Sequence, residues 1–219
     1  MVLLVLLRTD LISSWKKATP ADAPNRIVIN VSPDQSDDFQ QTLKRAGVEK
    51  FDWYPMIRGR LVAINGRDVS SDDFIEDRAK RLVDREFNLS HGAIRPSSNL
   101  IVEGRWTEEE KGAISMEEGI AQTLGLKLGD TVRFDIAGMQ TESKITSMRK
   151  VDWGSMRANF FAMYPVSQMD QVPATYMGAF KAPVTAGFDN ALVRAFPNVT
   201  NIDMSATISQ VQRVLDQVI

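Results

Sequence analysis

The 219-residue chain carries 26 Lys and Arg against 28 Asp and Glu, with one histidine and no cysteine. A near-neutral balance without a basic face excludes a general nucleic-acid binder, and the absence of cysteine excludes a disulfide scaffold, a thiolate metal site and a cysteine nucleophile. The length suffices for one domain or two small ones.

The chain opens with six apolar residues, Val2 to Leu7, before Arg8. As helix they would reach only about 9 Å of the roughly 30 Å that a bilayer core requires. No basic segment precedes them and no small-residue cleavage site follows, so they do not form a signal peptide. Leu4, Leu7, Leu11 and Trp15 share helical spacing, which predicts a helix to about Trp15. Two readings stand for it: an ordinary helix packed on the domain, or the last turns of a transmembrane helix, with Trp15, Lys16 and Lys17 at the lipid interface.

The proline-punctuated stretch from Ala18 to Asn25 ends that helix. Ile27, Ile29 and Val31 alternate with polar neighbours and predict a strand. Ser32, Pro33 and Gln35 form a helix start; Phe39, Leu43 and Ala46 give its apolar face and Gly47 its end. Lys50 to Ile64 reads as an extended segment broken by Pro55 and Gly59, followed by an Asn65-Gly66 turn. Ser70 to Asp73 opens a second helix with Ile75, Ala79, Leu82, Val83 and Phe87 on one face. Its other face, Glu76, Asp77, Arg78, Lys80, Arg81, Asp84 and Arg85, mixes both signs and reads as a solvated surface.

His91 to Asn99 reads as loop, and Leu100 to Glu103 and Gly112 to Ser115 as short strands. Ser115 with Glu118 has capping-box spacing for a helix that buries Ile120, Ala121 and Leu124 and stops at Gly125. Val132, Phe134 and Ile136 alternate in a strand, Ala137-Gly138 turns, and Ile145 to Met148 is extended. Asn159 to Tyr164 and Ala191 to Phe196 read as strands, Asn201 to Met204 as extended. Ser205 opens a last helix with Ile208, Val211, Leu215 and Val218 on one face. The whole reads as an α+β chain.

Catalytic and binding chemistry finds little support in these residues. His91 is the lone histidine, and Ser90 beside it is poorly placed as a triad partner, so His91 reads as a bland surface residue. Glu108, Glu109 and Glu110 form a solvated turn, and Glu117 and Glu118 an acidic helix start; neither group has calcium-loop spacing. Carboxylate pairs that meet only in space stay open as a hydrolytic alternative. Nucleotide-binding glycine motifs are missing, so any ATP chemistry would come from another chain. Met148, Met156, Met163, Met169 and Met177 crowd one stretch and read as core packing, with a lipid-contact patch as the second reading. No catalytic, metal, cofactor or substrate-binding residue is assigned.

A resemblance adds to this reading. The runs IVEGRW and AISMEEGIAQTLGLKLGDTVRFDIAG are similar to the large extracytoplasmic domain of FtsX/MacB-type ABC transporter permeases. There a Gly-Arg segment (Gly104-Arg105) precedes a strand, then a short helix (Glu117 to Leu124) ending in L-G-L-K-x-G-D, here through Leu126 to Asp130. PMIRGRLVAINGRDV, RKVDWGSMRANFFAMYP and ALVRAFPNVTNIDMS extend the match over nearly the whole chain from about Arg26. It looks closest to permeases with two such domains per chain, the lysophospholipase-linked or lipoprotein-release-like type.

The resemblance implies a two-part α+β domain outside the bacterial inner membrane, exposed to the periplasm. Residues 1–24 would be a membrane-proximal stalk helix and linker. Residues 25–67 with 188–219 would form a porter-like α/β subdomain from both ends of the chain, and 68–187 an inserted β-rich subdomain with a short helix. It implies a non-enzymatic role: a cytoplasmic ABC ATPase subunit would drive the chain's own transmembrane helices, coupling them to export or release of an amphiphilic cargo. A second periplasmic domain of the same chain and an envelope protein are further implied partners. The alternative role is an envelope binding or regulatory module that recruits or activates a partner enzyme.

Overall fold

The computed structural model describes residues 23–206. The opening helix expected up to Trp15, and the last helix beyond Ala206, fall outside the described residues. In chain order the elements are β1 (Arg26–Val31), α1 (Ser36–Arg45), β2 (Phe51–Ile64), β3 (Arg67–Asp68), α2 (Asp77–Val83), β4 (Phe87–His91), β5 (Asn99–Gly104) and β6 (Ala113–Glu117). They continue with α3 (Glu118–Leu124), β7 (Thr131–Ile136), β8 (Met139–Val151), β9 (Ala162–Tyr164), β10 (Thr175–Phe180), α4 (Phe188–Ala195) and β11 (Thr200–Asp203). The class is α+β, as the sequence indicates. No described helix is long and apolar enough to cross a membrane.

The chain divides into two compact units, and the first crossing between them falls inside β2, between Trp53 and Tyr54. The first unit takes the described residues up to Trp53, Asp152–Ala158 and those from Tyr176 onward. Its sheet places β1 between β10 and β11, antiparallel to both. Val28 and Val31 from β1 pack with Phe39 and Leu43 of α1 and with Leu192 and Phe196, all buried. Trp53 stacks between Phe39 and Tyr176, its ring centroid 5.5 and 6.2 Å from theirs, and donates its indole N–H to Ser36 Oγ at 2.9 Å. Gly178 makes room for that indole: a Cβ there would lie 2.7 Å from Trp53 Cε3.

The second unit spans Tyr54–Val151 and Asn159–Thr175. Its strands pair in the sequence β2, β4, β9, β6, β8, β7, and β7 pairs back onto β2, so the pairing closes on itself. Each of these strands sends side chains into one core, including Leu61, Leu89, Met163's neighbours Ala162 and Tyr164, Ile114, Ile145 and Phe134. β5 hangs on the far side of β8. The Ala137-Gly138 turn, with both residues at positive φ, joins β7 to β8 as the sequence predicts.

Several expectations are corrected. Pro55 and Gly59 do not break β2, which runs 14 residues. The Gly59 position faces inward, where a Cβ would lie 2.8 Å from Leu89 Cδ1, so the glycine serves tight packing rather than a turn. The helix expected from Ser70 through Phe87 is a 3-10 turn at Ser71–Asp73 followed by the seven-residue α2. Ala79, Leu82 and Val83 are buried, but Ile75 is 97% exposed and Phe87 begins β4, because Phe87 and Leu89 follow strand periodicity. Ala191 to Ala195 is helix, not strand, with Phe196 as its cap: Phe188, Leu192 and Phe196 recur at i, i+4 and pack on the first core. β10 lies in a stretch where no element was expected. Met148, Met163 and Met177 are buried and Met156 and Met169 half-buried, so the methionines chiefly fill core.

Candidate functional site

The residues weighed for catalysis are occupied structurally. Ser90 is fully buried, and its hydroxyl donates to the Pro55 carbonyl at 2.7 Å. His91 lies in β4 rather than in a loop, half-buried, with Nδ1 3.1 Å from the Val166 carbonyl. Burial lowers its pKa below the ordinary imidazole value. As neighbours along one strand, Ser90 and His91 face opposite sides and cannot act as a pair.

The carboxylates part in the same way. Glu109 accepts from the Ser167 N–H at 3.1 Å across an exposed turn. Glu117 is buried and caps α3, its two oxygens accepting from Gly119 N at 2.9 Å and Ile120 N at 2.7 Å, while Glu118 is exposed. The cap is thus Glu117 and not Ser115, which lies inside β6. Among the described residues no group of three or more His, Asp or Glu is placed to hold a metal ion.

Among the described residues a buried or nearly buried arginine gathers polar partners in each unit. In the second unit Arg149, on β8, is wholly buried. Its Nε donates to Ser115 Oγ at 2.9 Å, Nη1 to Asn99 Oδ1 at 2.6 Å and Nη2 to the Phe160 carbonyl at 2.9 Å. Ser147 Oγ donates to the same Ser115 hydroxyl at 2.7 Å. Burial among these neutral acceptors lowers the guanidinium pKa to about 10, only partly offset by the Glu117 charge. The cation stays protonated at neutral pH and knots β5, β6, β8 and the Phe160 segment together. This is a structural knot, since nothing reaches it from solvent.

In the first unit the opening and closing segments of the described chain meet. β1 and β11 pair antiparallel with Arg26 opposite Asp203, and the Met204 N–H donates to the Asn25 carbonyl at 2.8 Å. Arg26 is nearly buried at that end of the ladder. Its Nε and Nη2 grip the two oxygens of Asp189, on α4, at 3.0 and 3.1 Å. Its Nη1 donates to Asp203 Oδ1 at 2.8 Å and Ser205 Oγ at 3.0 Å. The Arg26 bond pulls the Asp189 carboxyl below its usual pKa, and the Asp189 partner raises that of Arg26. Asp203 is lowered chiefly by hydrogen bonds from Ser205. One guanidinium therefore ties β1, β11 and α4 together where the first and last described segments pair.

Nothing in the local sequence marks Arg26, Asp189 or Asp203 as a group. They lie 163 and 177 residues apart along the chain, and no local motif joins them.

No family model matches the chain. Among solved structures it is similar to the periplasmic region of MacB from Actinobacillus actinomycetemcomitans, with a TM-score of 0.48 and 9% identity, over 90% of this chain and 95% of that one. It is 36% identical over 211 residues, 96% of its length, to an uncharacterized ABC transporter permease of Escherichia coli (strain K12), YbbP. The match covers 25% of that protein, so the chain spans about a quarter of the curated relative's length. Over those residues this chain is similar to one segment of an ABC transporter permease.

Proposed function

We propose that the chain is the periplasmic domain of an ABC transporter permease at the bacterial inner membrane. It couples ATP-driven motion of transmembrane helices to export or release of an amphiphilic cargo: a lipid, a lipoprotein or a hydrophobic compound. A separate cytoplasmic ATPase hydrolyses ATP, and the chain itself does no bond chemistry. The FtsX/MacB-type organisation, with a second periplasmic domain in the same protein, belongs to this reading.

The observation that carries it is the pairing of the first and last described segments. A module driven from the membrane by two helices has to receive both at one place, and residues 25 and 204 are backbone neighbours. At the paired end a pull that separates the two segments loads the Arg26–Asp203 pair before the rest of the ladder. Asp189 carries the same load into α4. The permease relative supports the transport class.

The test is purification of the full-length protein containing this chain from detergent-solubilised membranes. An ABC ATPase is expected to co-purify, and the 219-residue chain alone is expected to hydrolyse no ATP. A full-length protein that recovers no ATPase under conditions preserving other ABC transporters contradicts the proposal.

A further inference from the structure

The outward face of β2 lines an open cleft of about 670 Å³, within the range of small-molecule sites. The inward Gly59 fixes the phase of the strand, so that Met56, Arg58, Arg60 and Val62 all reach this cleft. Arg58 and Arg60 are exposed, and among the described residues neither has an ion-pair or side-chain hydrogen-bond partner. Two residues apart on one face, they stand about 7 Å from each other along the strand, close enough for both guanidinium groups to grip one anionic head. Met56 and Val62 bracket them with apolar surface, continued by Ala174. Glu86 and Asp135 also line the cleft, and Asp135 faces Arg60 across the β2–β7 ladder. Two carboxylates beside two arginines disfavour polyanions while leaving a singly headed anion welcome.

We propose that this cleft binds an amphiphile, its phosphate or carboxylate head held by Arg58 and Arg60 and its hydrocarbon part lying on Met56, Val62 and Ala174. The site deepens the cargo reading above and rests on it for its biological meaning, but the binding itself is a property of this chain. Calorimetric titration of the 219-residue chain with dodecyl phosphate, dodecyl maltoside and inorganic phosphate tests it, the two detergents kept below their critical micelle concentrations. Dodecyl phosphate is expected to bind at least tenfold tighter than either of the others, and R58Q/R60Q to reduce it to the maltoside level. R81Q, on exposed α2, is expected to leave binding unchanged. The proposal is overturned if maltoside binds as well as dodecyl phosphate or inorganic phosphate alone matches it. It is equally overturned if the double variant binds normally or R81Q loses as much. Failure here leaves the ATPase co-purification result untouched, and failure of co-purification leaves this titration readable.

Discussion

Arg26 and Asp203 face each other as the end pair of the β1–β11 ladder, Nη1 2.8 Å from Oδ1, while the same guanidinium grips Asp189 through two parallel bonds. Both carboxylates are about half exposed, which holds each pair to the modest values of surface ion pairs. Asp189→Ala is expected to cost about 1 kcal/mol, near the top of that range because the contact is bidentate, and Asp203→Ala less. Urea unfolding of the two variants checks the order.

The same carboxylates set an acid limit. Their folded pKa values are lowered, so their contribution is complete above the unfolded carboxyl value of about 4 and is lost as pH falls through the folded values. Asp52 runs the other way: burial raises its pKa against the pull of Arg157. Asp189→Asn should therefore flatten the loss of stability below about pH 4, measured by urea midpoints across pH.

His91 adds a milder dependence nearer neutrality. Its pKa is lowered by burial, so below about pH 6.5 the unfolded chain binds the proton more readily and stability falls as the pH drops toward the folded value. His91→Asn, which keeps a donor for the Val166 carbonyl, should remove that slope below about pH 6.5. An unchanged slope would show that His91 is not its source.

Arg149 is costly to remove because it is fully buried and hydrogen-bonded through each of its guanidinium nitrogens. Arg149→Met leaves Asn99 Oδ1 and the Phe160 carbonyl without their donor inside the core, an expected loss of about 3–5 kcal/mol. Arg149→Lys should recover only part of it, because one ammonium cannot span three acceptors set around a planar fork. Chemical denaturation of both variants reads the difference.

Two glycines with the same backbone handedness should respond unequally. Gly104 and Gly125 have φ of 70° and 71°. A Cβ at Gly104 runs into the Thr146 carbonyl oxygen, whereas at Gly125 it meets open space. Gly125→Ala should cost about 1 kcal/mol from backbone strain alone, and Gly104→Ala clearly more. Thermal melts of the pair separate strain from collision.

Local chemistry was readable in the sequence wherever it was self-contained. The β7 alternation, the Ala137-Gly138 turn, the Gly125 stop and the mixed-charge face of α2 each rest on neighbouring residues, and the fold has them. Reading failed where a distant partner decides. Gly59 looks like a breaker until Phe87 of β4 pairs with it. ALVRAF has strand composition until α4 lays Leu192 and Phe196 on the first core. Ser115 looks like a helix cap until Arg149, 34 positions away, claims its hydroxyl. The Arg26 junction was hidden for the same reason, and the β2 cleft because arginine on an exposed strand face has no sequence signature of its own.

The claim that this chain works outside the membrane is tested most directly by labelling. The chain contains no cysteine, and Ile75 and Val184 are almost fully exposed, so Ile75→Cys and Val184→Cys can be placed in the full-length protein after replacing any cysteines outside this chain. In intact spheroplasts a membrane-impermeant maleimide is predicted to modify both cysteines without lysis. Modification only after the membrane is broken would put the domain on the cytoplasmic side and contradict the account.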